Sequence, residues 1–259
     1  MTRHDKNIWL TFADKLSPVG YKLFNHVNKV PITENGAADV RILAVALLAR
    51  TISNLKATLA LIKAGSVVEA RTIARCCFEN LFMVAALATE GDEFVKEYFR
   101  DEIATRKLRG EHLLQQTSKS SAQKEWKLPL RASLKEWKNY PASKTLTPKS
   151  IAAKGPVESA YIFHSQLSAD AAHPTTDALS RYLTRFEEND VEVRGIDVNP
   201  VPDEQELADT LDLACNAVIG VYVGVNQILG GTEANADIIA LADEYQSLSQ
   251  DAQAVGSAA

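Results

Sequence analysis

Residues 73 to 88, from Ile73 to Ala88, are apolar on almost every side of a helix, yet Arg75 and Glu79 stand inside the run. A helix of that composition belongs in the middle of a bundle, covered by other helices. Its start is marked by Ser66-Val67-Val68-Glu69, which spells a capping box. Gly91 stands past an expected end near Thr89. Arg71, Arg75 and Glu79 are spaced four apart, so they share one stripe with Phe78 and Phe82. An unpaired charge in such a wall is costly, so this stripe demands partners.

Helical signals extend along most of the remaining chain. Ile8, Trp9, Phe12 and Leu16 fall at helical spacing, and Leu23, Phe24 and Val27 form a second apolar set after Ser17-Pro18. Ala37 to Ala64 reads as one long helix stopped at Gly65. Asp92 is expected to cap a more polar helix reaching Gln116, and further helices are expected over 156–172, 177–188, 204–230 and 233–248. Asp190 to Pro202 reads as an extended connection, and alternating strand patterns are nearly absent. The expected fold is therefore all-α: a single multi-helix bundle of about eight helices over residues 1–249, with a disordered tail at 250–259.

Charge is distributed unevenly around a net value of −5. Residues 119–154 hold nine Lys/Arg against two acids, whereas 187–259 hold one Arg against fifteen acids. The basic stretch contains Pro129, Pro141 and Pro148, so it reads as a loop-rich insert of short helices. Lys124, Trp126, Lys127, Arg131, Lys135, Trp137 and Lys138 offer cations with interleaved rings, the pairing that contacts phosphates and stacks on bases. The bland alternative is that this segment pairs with the acidic third, within the chain or across a homodimer.

Cys76, Cys77 and Cys215 are an odd count without a CxxC spacing, which argues for reduced thiols and a cytoplasmic setting. No apolar leader follows Met1, and Leu213–Leu229, the most membrane-like run, carries two asparagines and reads as a buried helix. No membrane partner is expected. Gly-rich phosphate loops, GxSxG and HExxH are missing from the sequence. His164, Asp170 and His173 make a poor metal set, since the first two point about 120° apart on a helix. No metal and no cofactor is expected.

On the helix beginning at Pro156, Tyr161, Ser165, Ser168 and Ala172 share a face, with His173 at its end. Set against Arg75 and Glu79, these residues make a constellation of cation, carboxylate, hydroxyls and imidazole. In it His173, Glu79 and Arg75 are the catalytic candidates, and Arg71, Tyr161, Ser165 and Ser168 the ligand-binding ones. A structural ion pair between Arg75 and Glu79 competes with that reading, as does a saturated network that only specifies packing.

Two segments resemble a known family. Arg71-Thr72-Ile73-Ala74-Arg75-Cys76-Cys77-Phe78-Glu79 looks like the R-x3-R-x3-E signature of the bacterial family catalogued as domain of unknown function 5677. Tyr161 to Ser168, followed by His173, looks like its later tyrosine, serine and histidine motif. The resemblance spans roughly Ala37 to Phe186. It implies an all-helical domain with an uncharacterised polar site, some of whose relatives look like neighbours of mobile-element or phage-defence genes. Arg106 and His112 match the R-x(4–6)-H spacing of HEPN ribonucleases, but on a continuous helix they too would point about 120° apart. The functional expectation is a prokaryotic helical effector or accessory protein that binds a ligand or cleaves RNA, in the latter case as a metal-independent ribonuclease with an RNA or protein partner. The alternative is a non-catalytic interaction module acting through opposed basic and acidic surfaces.

Overall fold

A computed structural model describes residues 5–26, 33–116, 127–139, 145–169, 175–188 and 191–256. Asp5 starts α1 (Lys6–Asn25) by accepting a hydrogen bond from the Asn7 amide. This helix runs straight through Pro18, joining the two apolar sets that the sequence divides there. The missing amide of Pro18 leaves the helix standing because Trp9, Phe12, Leu16 and Leu23 bury one continuous face. Asp39 accepts from the Arg41 amide to start α2 (Val40–Lys63). Gly65, at φ 75°, closes that helix: its amide bonds to the Ile62 carbonyl, and the Ser66 amide reaches the Leu61 carbonyl.

That closure explains why the expected capping box does not form. Ser66 is committed to ending α2, with ψ 72° instead of the extended value of a cap, and its hydroxyl makes no capping bond to α3 (Val67–Glu90). Gly91, at φ 54°, ends α3 and its carbonyl receives Val95 N of α4 (Asp92–Gln116), so Asp92 is the first helical residue and not the cap. The basic stretch contains α5 (Lys127–Glu136) and α6 (Pro148–Ala152). Beyond it α7 (Tyr161–Leu167) starts later than the expected helix over 156–172, behind a 3-10 turn at Glu158–Ala160, and residues 170–172 of that expected helix lie outside the described residues.

The segment 177–188, expected to be helical, divides. After α8 (Thr176–Ser180) the chain forms β1 (Leu183–Glu188), paired antiparallel with β2 (Val191–Ile196) in the register Leu183↔Ile196 and Arg185↔Arg194. Asp203 then starts α9 (Glu204–Ile228) as expected, and α10 (Asn235–Gly256) continues beyond the expected end near Leu248. Apart from this small hairpin the described protein is all-α.

α3 lies between α2 and α9, which also touch each other, while α1 covers the outer side of both. Phe78, Phe82 and Val84 are fully buried within this stack. α2, α3 and α9 are each long and apolar enough to cross a membrane by length and composition, and here they bury against one another. The acids of α9 and α10 are met from α1: Lys6 pairs with Glu204 at 2.6 Å, Lys15 with Glu244 at 2.6 Å and Lys22 with Asp237 at 2.7 Å. Lys154, last of the basic stretch, turns to Glu90 and Glu97 at 3.0 and 2.7 Å.

These contacts fasten α6 to the α3–α4 corner, helped by a true capping box between Thr147 and Ser150. Gly155 completes the docking, since a Cβ there would stand 2.8 Å from Ala85 Cβ and 3.0 Å from the Ala85 carbonyl carbon. Backbone cannot yield as a flexible side chain can. Gly155→Ala is therefore expected to cost about 1–3 kcal/mol through overpacking, read as a lowered urea midpoint. An unchanged midpoint would mean that α6 does not dock on α3 in this way.

Candidate functional site

The polar stripe of α3 serves two separate places. Arg71 turns to α9, where its Nη1 lies 3.1 Å from Glu206 Oε1 and its Nε donates to Thr210 Oγ1 at 3.1 Å. Arg181 shares the same Glu206 oxygen at 2.8 Å. Burial lowers the pKa of the Arg71 guanidinium and Glu206 opposes that shift. This junction joins α3, α9 and the segment after α8, apart from the rest of the expected constellation.

One turn further along, Arg75 Nη1 donates to Glu79 Oε1 at 2.7 Å. The imidazole that meets this pair belongs to His164, whose Nε2 lies 3.4 Å from Glu79 Oε1 and 3.5 Å from Arg75 Nη1. His173, the histidine chosen from the sequence, lies outside the described residues. α7 places His164 by turning it inward together with Leu167, both of them buried. The Tyr161 ring stacks on the imidazole with centroids 5.6 Å apart, and Phe82 lies against it at 5.8 Å. Ser168 donates to the His164 carbonyl within its own helix, and Ser165 is exposed.

Of the two neutral tautomers, the one carrying its proton on Nε2 satisfies this site. It donates to the Glu79 carboxylate, a charge-assisted bond, and leaves on the buried, unpartnered Nδ1 a lone pair instead of a stranded N–H. Glu79 is correspondingly pushed below the usual glutamate range: the His164 hydrogen bond lowers its pKa most, burial works against it, and Arg75 and Arg50 add to the lowering.

Among the described residues, every hydrogen bond to the Glu79 carboxylate falls on Oε1. Glu79 also lines an open cleft of about 290 Å³ with Arg50 from α2, Asn80 from α3, Tyr98 from α4, and Leu146, Pro148 and Ile151 from the edge of the basic stretch. Asp101 holds the last wall in place by accepting from the Leu146 amide at 3.0 Å. The cleft residues Arg50, Asn80, Tyr98 and Leu146 were not singled out in the sequence. They sit singly on four different segments, and only tertiary packing brings them together.

The model of a family of unknown function, DUF5677, matches residues 41–191. The chain belongs to that family. No curated protein and no solved structure matches it. The DUF5677 match contains Arg75, Glu79, His164 and the whole cleft, while the Arg71 partners Glu206 and Thr210 lie beyond it.

The remaining candidates of this DUF5677 protein lie elsewhere. Lys124 and Trp126 fall outside the described residues, Lys127 is buried, and Trp137 is half-buried. Arg131, Lys135 and Lys138 are exposed. Leu130 and Leu134 of α5 pack over Gly110 of α4, which stays helical there, so Arg106 and His112 remain on one continuous helix and Arg106 pairs with Glu102 at 2.6 Å. Among the described residues no group of His, Cys, Asp and Glu is placed to hold a metal.

The sign of the pH dependence follows from the Glu79 shift. The unfolded chain takes up this proton near the ordinary value of 4.5, whereas the folded state resists until lower pH. The unfolded state thus binds more protons in that window, and stability supplied by Glu79 is lost as pH falls through it. Between about pH 5 and pH 3, wild type is expected to lose more stability than Glu79→Gln in urea titrations. Parallel pH curves would show that Arg75 and His164 do not hold the carboxylate.

Proposed function

We propose that this DUF5677 protein binds a small polar ligand in the cleft bordered by α2, α3, α4 and α6, with the second carboxylate oxygen of Glu79 as the principal acceptor. It acts as a ligand-responsive helical effector or accessory protein. One observation carries the reading: Glu79 Oε1 is clamped from behind by Arg75 and His164, while Oε2 has no hydrogen-bond partner among the described residues. Such a group is ionised and oriented before any ligand arrives, so little ordering remains for binding to supply. Occupancy would be felt at α7, because the clamp is also what holds His164.

The same geometry speaks against His164 as a general base, the role that RNA cleavage would ask of an imidazole here. Its Nδ1 is buried, with the Phe82 and Tyr161 rings against the imidazole, beyond reach of a substrate proton. His164 is read as a positioning residue. The exposed Arg131, Lys135 and Lys138 of the α5 segment support a second reading, an interaction module working through charge.

A thermal-shift screen of a metabolite library separates these. The expected result is at least one compound that raises Tm by several degrees, as a ligand near 100 Kd should (~2.7 kcal/mol). That shift should vanish in Glu79→Gln and in Leu146→Trp, which narrows the cleft and leaves the carboxylate intact. No stabilising compound, or hits indifferent to both variants, would overturn the cleft reading. Polyanion binding lost only on replacing Arg131, Lys135 and Lys138 with Glu would favour the second.

A further inference from the structure

We infer that the cleft takes a free α-amino acid with an apolar side chain, its ammonium group on Glu79 Oε2 and its carboxylate on Arg50. This inference rests on the cleft reading above and names the class of ligand that would satisfy it.

The register of two helices brings the recognising groups together. α2 and α3 are joined by the tight turn at Gly65 and run antiparallel. Across their seam the Asn80 amide nitrogen donates to Thr51 Oγ1 at 2.9 Å, and both residues are buried. Arg50 and Glu79 each stand one residue before that internal contact, and one residue turns a helix by about 100°. In antiparallel helices these two turns have opposite sense when viewed from one end, so both side chains swing to the same side of the seam. There they line one cleft.

The two charges face this cleft without joining. Among the described residues exposed Arg50 makes no hydrogen bond and no ion pair, and Glu79 spends only Oε1, on Arg75 and His164. The Arg50 charge is nevertheless felt, since it helps to lower the Glu79 pKa. A plain amine would gain at Glu79 and be repelled by Arg50, and a plain carboxylic acid would meet the reverse. An α-amino acid carries both charges on one carbon. Its ammonium meets a carboxylate already oriented, and its carboxylate meets a guanidinium fork.

The remaining wall sets the side chain. Leu47, Met83, Leu146, Pro148 and Ile151 are apolar, and they border the same cleft as the two charges. A purely apolar ligand seated on them would strip water from Glu79 and return nothing to its charge. The apolar part and the ammonium therefore belong to one molecule. A volume of about 290 Å³, at the lower limit of small-molecule sites, suits a ligand of amino-acid size. Within a peptide, amide bonds remove these adjacent charges, so the amino acid is the free one.

Isothermal titration of the full chain tests this by removing one ligand group at a time. L-leucine, L-methionine and L-phenylalanine are compared with leucinamide, which lacks the carboxylate, 4-methylpentanoate, which lacks the ammonium, and glycine, which lacks the side chain. At least one of the three apolar amino acids is expected to bind, and each leucine analogue to bind more weakly than leucine by about tenfold, the scale of one charge-assisted contact. Arg50→Ala, an exposed change, should remove the advantage of leucine over leucinamide. Glu79→Gln should remove its advantage over 4-methylpentanoate, with melting curves verifying that each variant is folded. No binding of any of the three, an analogue that matches leucine, or an advantage unaltered in the corresponding variant would each overturn the inference. If the library screen yields Glu79-dependent compounds while all three amino acids are inert, the amino-acid class falls and the cleft reading stands. If no compound depends on Glu79, both fall.

Discussion

The arrangement depends on a half-buried carboxylate at the wall of an apolar bundle. Glu79 projects from α3, which lies between α2 and α9, where an isolated charge would be costly. It remains ionised because Arg75, one turn earlier on the same helix, and His164, from a different segment, converge on a single oxygen. The local i,i+4 pair alone would be worth only a few tenths of a kcal/mol, roughly 0.2–0.5. The bond from His164 makes the pair tertiary, because it fixes where α7 lies on α3.

That anchoring also shapes the opening on the other side of the carboxylate. α6 and the loop before it are fastened by Lys154, Asp101 and the close approach of Gly155 to Ala85, so the wall facing Glu79 is held by contacts on α3 and α4. The clamp and the wall thus come from the two ends of one stretch, 145–169, laid across a single helix. Under the proposed reading, a change in how Glu79 is occupied would have a direct physical route to α7 through the bond to His164.

Much of this fold could be read along the chain. Gly65 and Gly91 mark helix ends because a left-handed residue is needed there, and α3 declares its central place by being apolar almost all round. The failures have identifiable causes. Ser66-Val67-Val68-Glu69 spells a capping box, but Ser66 was already engaged in closing α2. Segment 177–188 reads as helix along the chain although Val191 and Val193 alternate just beyond it; the pairing of β1 with β2 outweighs that local preference. At the site, Arg75 and Glu79 were legible as a pair and Tyr161 as a neighbour. His164 reads in isolation only as a poor metal ligand, yet Tyr161, His164 and Ser168 are spaced i, i+3 and i+7 and share one stripe. Arg71 could not be separated from Arg75 in advance, because what draws it away is Glu206, more than a hundred residues later. Arg50 and Asn80 acquire meaning only through the cleft.

The central claim is that Glu79 and His164 are energetically coupled across the α3–α7 contact, and a double-mutant cycle measures that coupling directly. Glu79→Gln and His164→Phe remove the two partners while keeping side-chain bulk and a ring against Tyr161, and unfolding free energies of the four proteins come from urea titration. The account predicts a coupling of about 1 kcal/mol or more, as for a partly buried charge-assisted hydrogen bond. Additivity within about 0.3 kcal/mol would contradict it, leaving α7 held by ring packing alone.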